Sequence, residues 1–146
     1  ASDVYKRQVL ADVYAFYIKA QNFHWNVEGP NFAQYHLFFN NLYDEVGGSI
    51  DPIAEEIRAI GSYTPASFSR FSELTSIKDQ RSVPSPMEMI AELHTDNATV
   101  MSSLMRAYKF AEQYSEIGLS NFLQDRMNAH KKHAWMLKSL LVTGKQ

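Results

Sequence analysis

Two histidines and two carboxylates with metal-binding chemistry fall within a short stretch of this chain: His24, His36, Asp51 and Glu55. Asp51 and Glu55 are four residues apart. On a helix they would therefore share one face, about 6 Å apart along the axis, and could hold one cation together. His36 precedes Asp51 by fifteen residues, which is about 22 Å along a straight helix, so these two cannot share an ion within one chain. Antiparallel packing of this helix against a symmetry mate would bring His36 of one chain level with Asp51 of the other, with the axis near Tyr43 and Asp44. The spacing therefore predicts a metal site shared between two subunits.

Predicted helices carry these side chains. From Val9 to His24, apolar residues recur every three or four positions, which predicts a first helix whose buried stripe ends at His24. Asn31, with a glutamine three residues later, predicts a capped start for a second helix that runs to about Ile60. Pro52 removes a backbone donor inside that helix, so we expect a kink or bulge just before the carboxylate pair.

Two further long helices are predicted after a long connection. Residues 61–85 are rich in serine, threonine and proline and contain a short helical signal at 65–74, so they form a crossover. Ser85, followed by a proline and by a glutamate three residues on, predicts a capped third helix that reaches about Tyr114. A fourth helix is expected over about 119–142. The predicted fold class is all-α, a ferritin-like four-helix bundle with a short extra helix in the crossover between helices 2 and 3.

Composition limits the chemistry and the partners. The 146 residues are long enough for one domain, residues 1–146, with a substantial core. The chain has no cysteine, so any metal must be held by His, Asp and Glu.

The net charge of -2 and the lack of a lysine-rich tail at residues 144–146 predict weak or absent DNA binding. No membrane span or signal pattern is present, so a cytoplasmic protein is expected. Within residues 1–8, ASDVYKRQ, the stretch SDVYKRQ resembles a translated transposon sequencing adapter, so these residues need not be native.

Several motifs together resemble one family. FHWNVEGPNF, a YH pair whose histidine follows the first by twelve residues, and DPIAEEIRAIG are similar to the Dps proteins (DNA-binding proteins from starved cells), the mini-ferritins. The likeness continues through LTSIK, PSPMEMIAEL and NFLQDRMNAHKKHAWMLKSLL and covers nearly all of the chain after residue 8. It implies a dodecamer with a hollow interior and ferroxidase centres at its two-fold interfaces. The implied activity is that of an oxidoreductase: iron enters as Fe²⁺, is oxidised preferably by hydrogen peroxide, and is stored as ferric mineral.

The resemblance also implies roles for particular residues. It assigns His24, Asp51 and Glu55 to one subunit as ligands, and His36 to the mate. The family's further aspartate is Asn40 in this chain. Because an amide oxygen is a neutral and weaker ligand, we expect one tight iron per centre and a weak second one.

Two neighbours of the histidines leave alternatives open. Trp25 is either a packing residue or, as the resemblance suggests, a redox-active aromatic that absorbs a stray oxidising equivalent. Leu37 stands where many family members have an acidic side chain, which bears on mineral nucleation. For the whole protein, the alternative to an active ferroxidase is a DNA-compacting or structural metal-binding shell with weakened activity.

Other groups with possible metal chemistry favour plainer interpretations. His130 and His133 could form a metal pair, but a hydrogen-bonded core His130 and an exposed His133 are favoured. Glu88, Glu92 and Asp96 form an acidic row at helical spacing that could line an iron path. A solvent-facing row is the favoured interpretation.

Overall fold

The computed structural model describes residues 2–142, and these form six helices. The bounds are α1 Ser2–Asn26, α2 Phe32–Gly47, α3 Ile50–Ala59, α4 Phe68–Leu74, α5 Pro86–Gln113 and α6 Ile117–Leu141. The bundle consists of four long helical segments, called rods here: α1, α2 with α3, α5 and α6. Helix α4 lies in the crossover. The predicted all-α four-helix bundle with a short extra helix is confirmed. Every helix in the described part is too short or too polar to cross a membrane.

Helix α1 lies between α2 and α5 and runs antiparallel to both. Its Phe23 ring meets Phe39 of α2 at a centroid distance of 6.0 Å, and its Tyr5 ring meets Phe110 of α5 at 5.2 Å. α1 begins earlier than predicted, because residues before Val9 continue the same helix. The fully buried aliphatic and aromatic side chains of these helices form the core, which includes Leu10, Phe16, Ile57, Met89, Leu93 and Leu104.

The second rod is broken where proline and glycine predict it. α2 ends at Gly47 and α3 begins at Ile50, so the expected interruption before the carboxylate pair is confirmed. Pro52 has no N–H, and it falls in the first turn of α3, where N–H groups lack helical acceptors in any case. Ser49 closes the gap because its hydroxyl donates to the carbonyl of Val46 at 2.6 Å.

A buried carboxylate ties the crossover to the bundle. Asp12 of α1 is fully buried. It accepts hydrogen bonds from Thr75 Oγ1 at 2.7 Å, from the Ser76 N–H at 2.8 Å and from Gln8 Nε2 at 3.0 Å. The Ser103 hydroxyl of α5 donates to it as well. One side chain therefore holds α1, the crossover and α5 together, a role that the sequence did not indicate.

The predicted helix starts have different outcomes. At α5, the Ser85 hydroxyl accepts from the Glu88 N–H, and Glu88 Oε1 accepts from the Ser85 N–H, so the capping box is confirmed. The backbone hydrogen bond from Ser85 holds the pKa of Glu88 below its usual value. At α2, the predicted cap is wrong, because Asn31 makes no side-chain capping hydrogen bond. The second helix, predicted to run to about Ile60, ends one residue earlier, and Ile60 is exposed.

Candidate metal centre

His24 and His36 form a stacked pair within one chain. His24 lies in the last turn of α1 and His36 in the first turns of α2, and the short connection between these helices brings the rings face to face. Their centroids are 3.8 Å apart, with an interplanar angle of 15°. His24 is almost completely buried and His36 is half-buried.

Each ring is oriented by the backbone of the other histidine. His24 Nδ1 lies 2.7 Å from the carbonyl oxygen of His36, and His36 Nδ1 lies 2.7 Å from the carbonyl oxygen of His24. A carbonyl oxygen only accepts, so both Nδ1 atoms carry the proton and donate it. Each Nε2 therefore keeps its lone pair, which is the form in which imidazole binds a metal.

The stacking gives the two imidazoles different targets. An ion bound at about 2.1 Å in the plane of one ring lies well outside the plane of the other, because the rings are nearly parallel and their centroids are 3.8 Å apart. If the pair binds a metal, it would therefore address two adjacent positions: an ion on one ring, and a second ion or a bound oxidant on the other.

Asp51 and Glu55 are free for an external ligand. Both are exposed on α3, one helical turn apart, and within residues 2–142 neither forms a hydrogen bond or an ion pair. Asp51 lies in the first turn, where the helix dipole favours a carboxylate. No three His, Asp or Glu residues of the described part come together to hold a metal within one chain.

The predicted division of ligands between subunits is therefore wrong. It placed His24 with Asp51 and Glu55 and left His36 to the mate. In the structure the histidines stay together and the carboxylates lie apart from them. Helical rise correctly separated His36 from Asp51, but it could not show that the end of α1 folds back onto the start of α2. A complete site would need the histidines of one chain and the carboxylates of another.

Asn40 is held by its own helix. Its Oδ1 accepts from the Tyr43 hydroxyl at 3.2 Å, and its Nδ2 donates to Asp44 Oδ2 at 3.2 Å. The amide oxygen is thus already hydrogen-bonded, which makes it a poorer ligand still. An aspartate at this position would face the Asp44 carboxylate, so the amide avoids a repulsion between like charges.

The aromatic ring against His24 belongs to Tyr43. The two ring centroids are 5.2 Å apart. Trp25, the aromatic singled out by the sequence, is 65% exposed, so it is not a core packing residue of the single chain. Its redox role stays a prediction. Leu37 is also exposed, at 60%.

A polar network in which Arg126, His130 and His133 are buried joins α2, α5 and α6 and corrects the assignment of His133. Arg126 donates to both carboxylate oxygens of Glu45, at 2.7 and 3.0 Å, and His133 Nε2 donates to the same carboxylate at 2.7 Å. His133 is therefore buried and not exposed. The hydrogen bond from His133, with the Arg126 charge, holds the pKa of Glu45 far below its usual value.

His130 is the hydrogen-bonded core histidine that the sequence favoured. It is fully buried, its Nδ1 donates to Asn97 Oδ1 at 2.8 Å, and its Nε2 accepts from Arg126 at 2.9 Å. Burial, reinforced by the Arg126 charge, lowers the pKa of His130 to about 3. With both ring nitrogens engaged, His130 is unavailable to a metal.

Only part of the acidic row on α5 faces solvent: Glu88 is exposed, as the sequence favoured, whereas Glu92 is half-buried and Asp96 is buried. Lys19 Nζ lies 2.9 Å from Glu92 Oε1 and 2.8 Å from Asp96 Oδ2. Lys19 and Asp96 are buried, and burial raises the pKa of Asp96. Glu88 belongs to the helix cap. Glu92 and Asp96 thus join α5 to α1 through Lys19, and an iron path along the row stays a prediction.

Comparisons with known proteins identify the class and then the family. The family model of the ferritin-like domain matches residues 7–146. Together with the four-helix bundle and its helical crossover, this match defines a ferritin-like protein.

The chain is 35% identical over 135 residues to the "DNA protection during starvation protein" of Brevibacillus brevis, covering 92% of this chain and 90% of that protein. It is 32% identical over 139 residues to "DNA protection during starvation protein 2" of Bacillus anthracis, covering 95% and 94%. The solved structure of Dps from Staphylococcus aureus superposes with a TM-score of 0.93 at 29% identity, covering 98% of this chain and 96% of that one. The chain therefore belongs to the Dps family.

Proposed function

We propose that this Dps-family protein is a ferroxidase that oxidises Fe²⁺, preferably with hydrogen peroxide, and stores the ferric product inside a hollow dodecamer. The observation that carries the proposal is the His24–His36 pair, in which both Nδ1 atoms are tied to backbone and both Nε2 atoms are free. Imidazole nitrogen with carboxylate oxygen is a donor set suited to Fe²⁺. Iron is the substrate of this chemistry.

Two subunits complete each centre in this proposal. The histidine pair of one chain faces Asp51 and Glu55 of its neighbour across a two-fold axis, which gives two equivalent centres per interface. The two carboxylates neutralise one Fe²⁺ and one imidazole completes its coordination, while the other imidazole faces the adjacent position, which stays open for the oxidant or a second ion. Peroxide takes one electron from each of two ferrous ions, and its oxygen ends as water or ferric oxyhydroxide. This removes both reactants that generate hydroxyl radicals, which would protect DNA without any contact with it.

The first test is assembly together with turnover. The purified protein should be a closed oligomer, twelve subunits by light scattering, and should oxidise Fe²⁺ faster with peroxide than with oxygen, followed by the ferric absorbance. A monomer at micromolar concentration would contradict the shared site. An oligomer that binds Fe²⁺ without oxidising it would favour the structural metal-binding shell.

The Asn40→Asp variant should bind a second Fe²⁺ tightly at each centre and oxidise iron faster. The added carboxylate would lie beside Asp44, and a cation between the two would relieve their repulsion. Anaerobic calorimetry should then find two tight ions per centre where the unmodified protein shows one.

The control for this variant is Asn41→Asp. It adds the same charge at the neighbouring, exposed position of α2 and should leave the stoichiometry unchanged. Two equally tight Fe²⁺ per centre in the unmodified protein would show that Asn40 does not limit the site.

A further inference from the structure

The break between α2 and α3 is a weak joint in the rod that carries the proposed carboxylate ligands. Gly47 and Gly48 lie at the break, and glycine is a poor helix former. Pro52 has no N–H, so the carbonyl of Gly48, four residues earlier, lacks its helical donor. Asp51 and Glu55 lie on α3 beyond the break. The direction of α3 therefore decides where both carboxylates lie.

Glycine is required at position 47 for space and not for its backbone conformation. Gly47 is helical, and within residues 2–142 the glycines with positive φ are Gly29 and Gly61. A Cβ atom added at Gly47 would lie 2.8 Å from Cε1 of Tyr17, closer than side chains tolerate. At Gly48 an added Cβ would meet only carbonyl oxygens at 3.6 Å, which is an ordinary contact. The Tyr17 ring of α1 therefore lies directly against the backbone at the end of α2.

The Tyr17 ring also contacts the histidine half of the proposed centre. Its centroid lies 5.8 Å from that of Tyr43, and the Tyr43 ring lies 5.2 Å from His24. Tyr17 and His24 are seven residues apart on α1, which is about two helical turns, so they share one face of this helix. Tyr17 therefore aligns the end of α2 with the helix that holds His24.

The aromatic ring of Tyr17, and not its hydroxyl, makes the contact with the break. The hydroxyl accepts a hydrogen bond from Gln21 Nε2 at 3.5 Å, within α1 itself. The ring is half-buried and lines one open cleft together with Gly47 and Asp51. The cleft therefore runs from this contact to the first of the two carboxylates.

We propose that Tyr17 is a positioning residue: its contact with Gly47 sets the direction of α3, and so the distance of both carboxylates from the neighbour's histidines. This inference rests on the proposed function, in which the histidine pair of one chain faces the carboxylates of another. Under two-fold symmetry, the same alignment in both chains gives the two centres of an interface the same geometry.

The distances show that this contact is close enough to control the proposed centre. An ordinary contact between carbon atoms is about 3.6 Å, so a Cβ atom at position 47, at 2.8 Å, has to move about 0.8 Å away from the ring. Distances in a metal site hold within about 0.2 Å. A movement of α3 by half of that shift would already exceed what the site tolerates.

The test is Fe²⁺ binding by the assembled Gly47→Ala variant, measured by anaerobic calorimetry. The affinity should fall about 10-fold or more, which is the loss typical of groups that support a metal ligand. Gly48→Ala makes the same change at the next residue, where the added Cβ meets no side chain, and should bind Fe²⁺ as the unmodified protein does. Light scattering and the melting temperature show whether each variant assembles and folds.

Variants of Tyr17 separate positioning from stability. Tyr17→Phe keeps the ring and should keep the Fe²⁺ affinity, whereas Tyr17→Leu removes the ring and should lower it about 10-fold or more. In the Tyr17→Leu background, Gly47→Ala has no ring to meet, so its further effect should be less than about twofold. A purely structural contact would lower the melting temperature of these variants and leave the Fe²⁺ affinity of the assembled protein unchanged.

Full Fe²⁺ affinity in assembled Gly47→Ala or Tyr17→Leu would overturn the positioning role while leaving the ferroxidase intact. Equal losses from Gly47→Ala with and without the Tyr17 ring would overturn it as well. If Gly47→Ala does not assemble, Tyr17→Leu decides, because it removes the ring without introducing a clash. If the unmodified protein binds no Fe²⁺ tightly, the ferroxidase proposal fails and the positioning role fails with it.

Discussion

Replacing Asp51 with asparagine is expected to abolish tight Fe²⁺ binding and peroxide-driven oxidation. The change keeps the size of the side chain but removes one of the two charges that neutralise the ion. Even groups that only support a metal ligand are worth about 10- to 100-fold in affinity, so losing a charged ligand should cost at least about 100-fold. Anaerobic calorimetry with Fe²⁺ measures this directly. Asp125→Asn, at an exposed position of α6, is the matched control and should bind as the unmodified protein does.

Mixing two inactive variants tests how the ligands are divided. One chain carries His24→Ala with His36→Ala, and the other carries Asp51→Asn with Glu55→Gln; each assembly alone should be inactive. Co-expressed at equal levels, random pairing joins intact histidines to intact carboxylates at roughly one quarter of the centres, so that fraction of activity should return. The division first inferred from the resemblance, with His24 on the carboxylate chain, gives no intact centre in any mixed pair. A mixture without activity would therefore contradict the arrangement derived from the stacked histidines.

Asp12→Ala is expected to cause the largest loss of stability of any single change away from the site. The substitution leaves four hydrogen-bond donors around a buried cavity without their acceptor. Hydrogen bonds to charged groups contribute about 1.5–3 kcal/mol each, and their donors share one carboxylate, so a net loss on the order of 4 kcal/mol is expected. In a chain of this size the melting temperature should fall by about 10 °C or more.

The measurement is thermal unfolding at fixed protein concentration, with hydrogen exchange at the Ser76 amide as the local readout. Asp79→Ala removes an exposed aspartate from the same crossover and should change stability by about 0.5 kcal/mol or less. If Asp12→Ala unfolds like the control, the crossover is held by other contacts.

Much of the fold could be predicted because its signals are local. Apolar periodicity gave the four rods, Ser85 with Glu88 gave the start of α5, and Pro52 gave the break before α3. The predicted cap at Asn31 is wrong because a capping sequence shows only that a capping hydrogen bond is possible. In the structure the Asn31 side chain makes no such bond with the backbone of α2.

The candidate site could be predicted only as a set of residue types. That its members bind a metal stays a prediction, and which of them meet depends on how two helices pack. His24 joins His36 through the turn between α1 and α2, which no spacing rule describes. Glu45 and Arg126 were missed for the same reason: they are separated by 81 residues, and a lone charge on a helix carries no signal for a distant partner.

The hydrogen bonds of His24 and His36 to each other's backbone also affect the entropy cost of binding a metal. This cost would differ between the two histidines and the two carboxylates. Both rings are immobilised when the chain folds, so their rotational freedom is lost before an ion binds. Ordering the rings therefore does not lower the affinity for the ion. Asp51 and Glu55 are exposed and unrestrained, and they must be ordered at the moment of binding. The imidazole half of the proposed centre is thus rigid and the carboxylate half adaptable. Such a site would still coordinate the ion when its radius decreases on oxidation. The carboxylates can move to follow the smaller radius, whereas the rings cannot move.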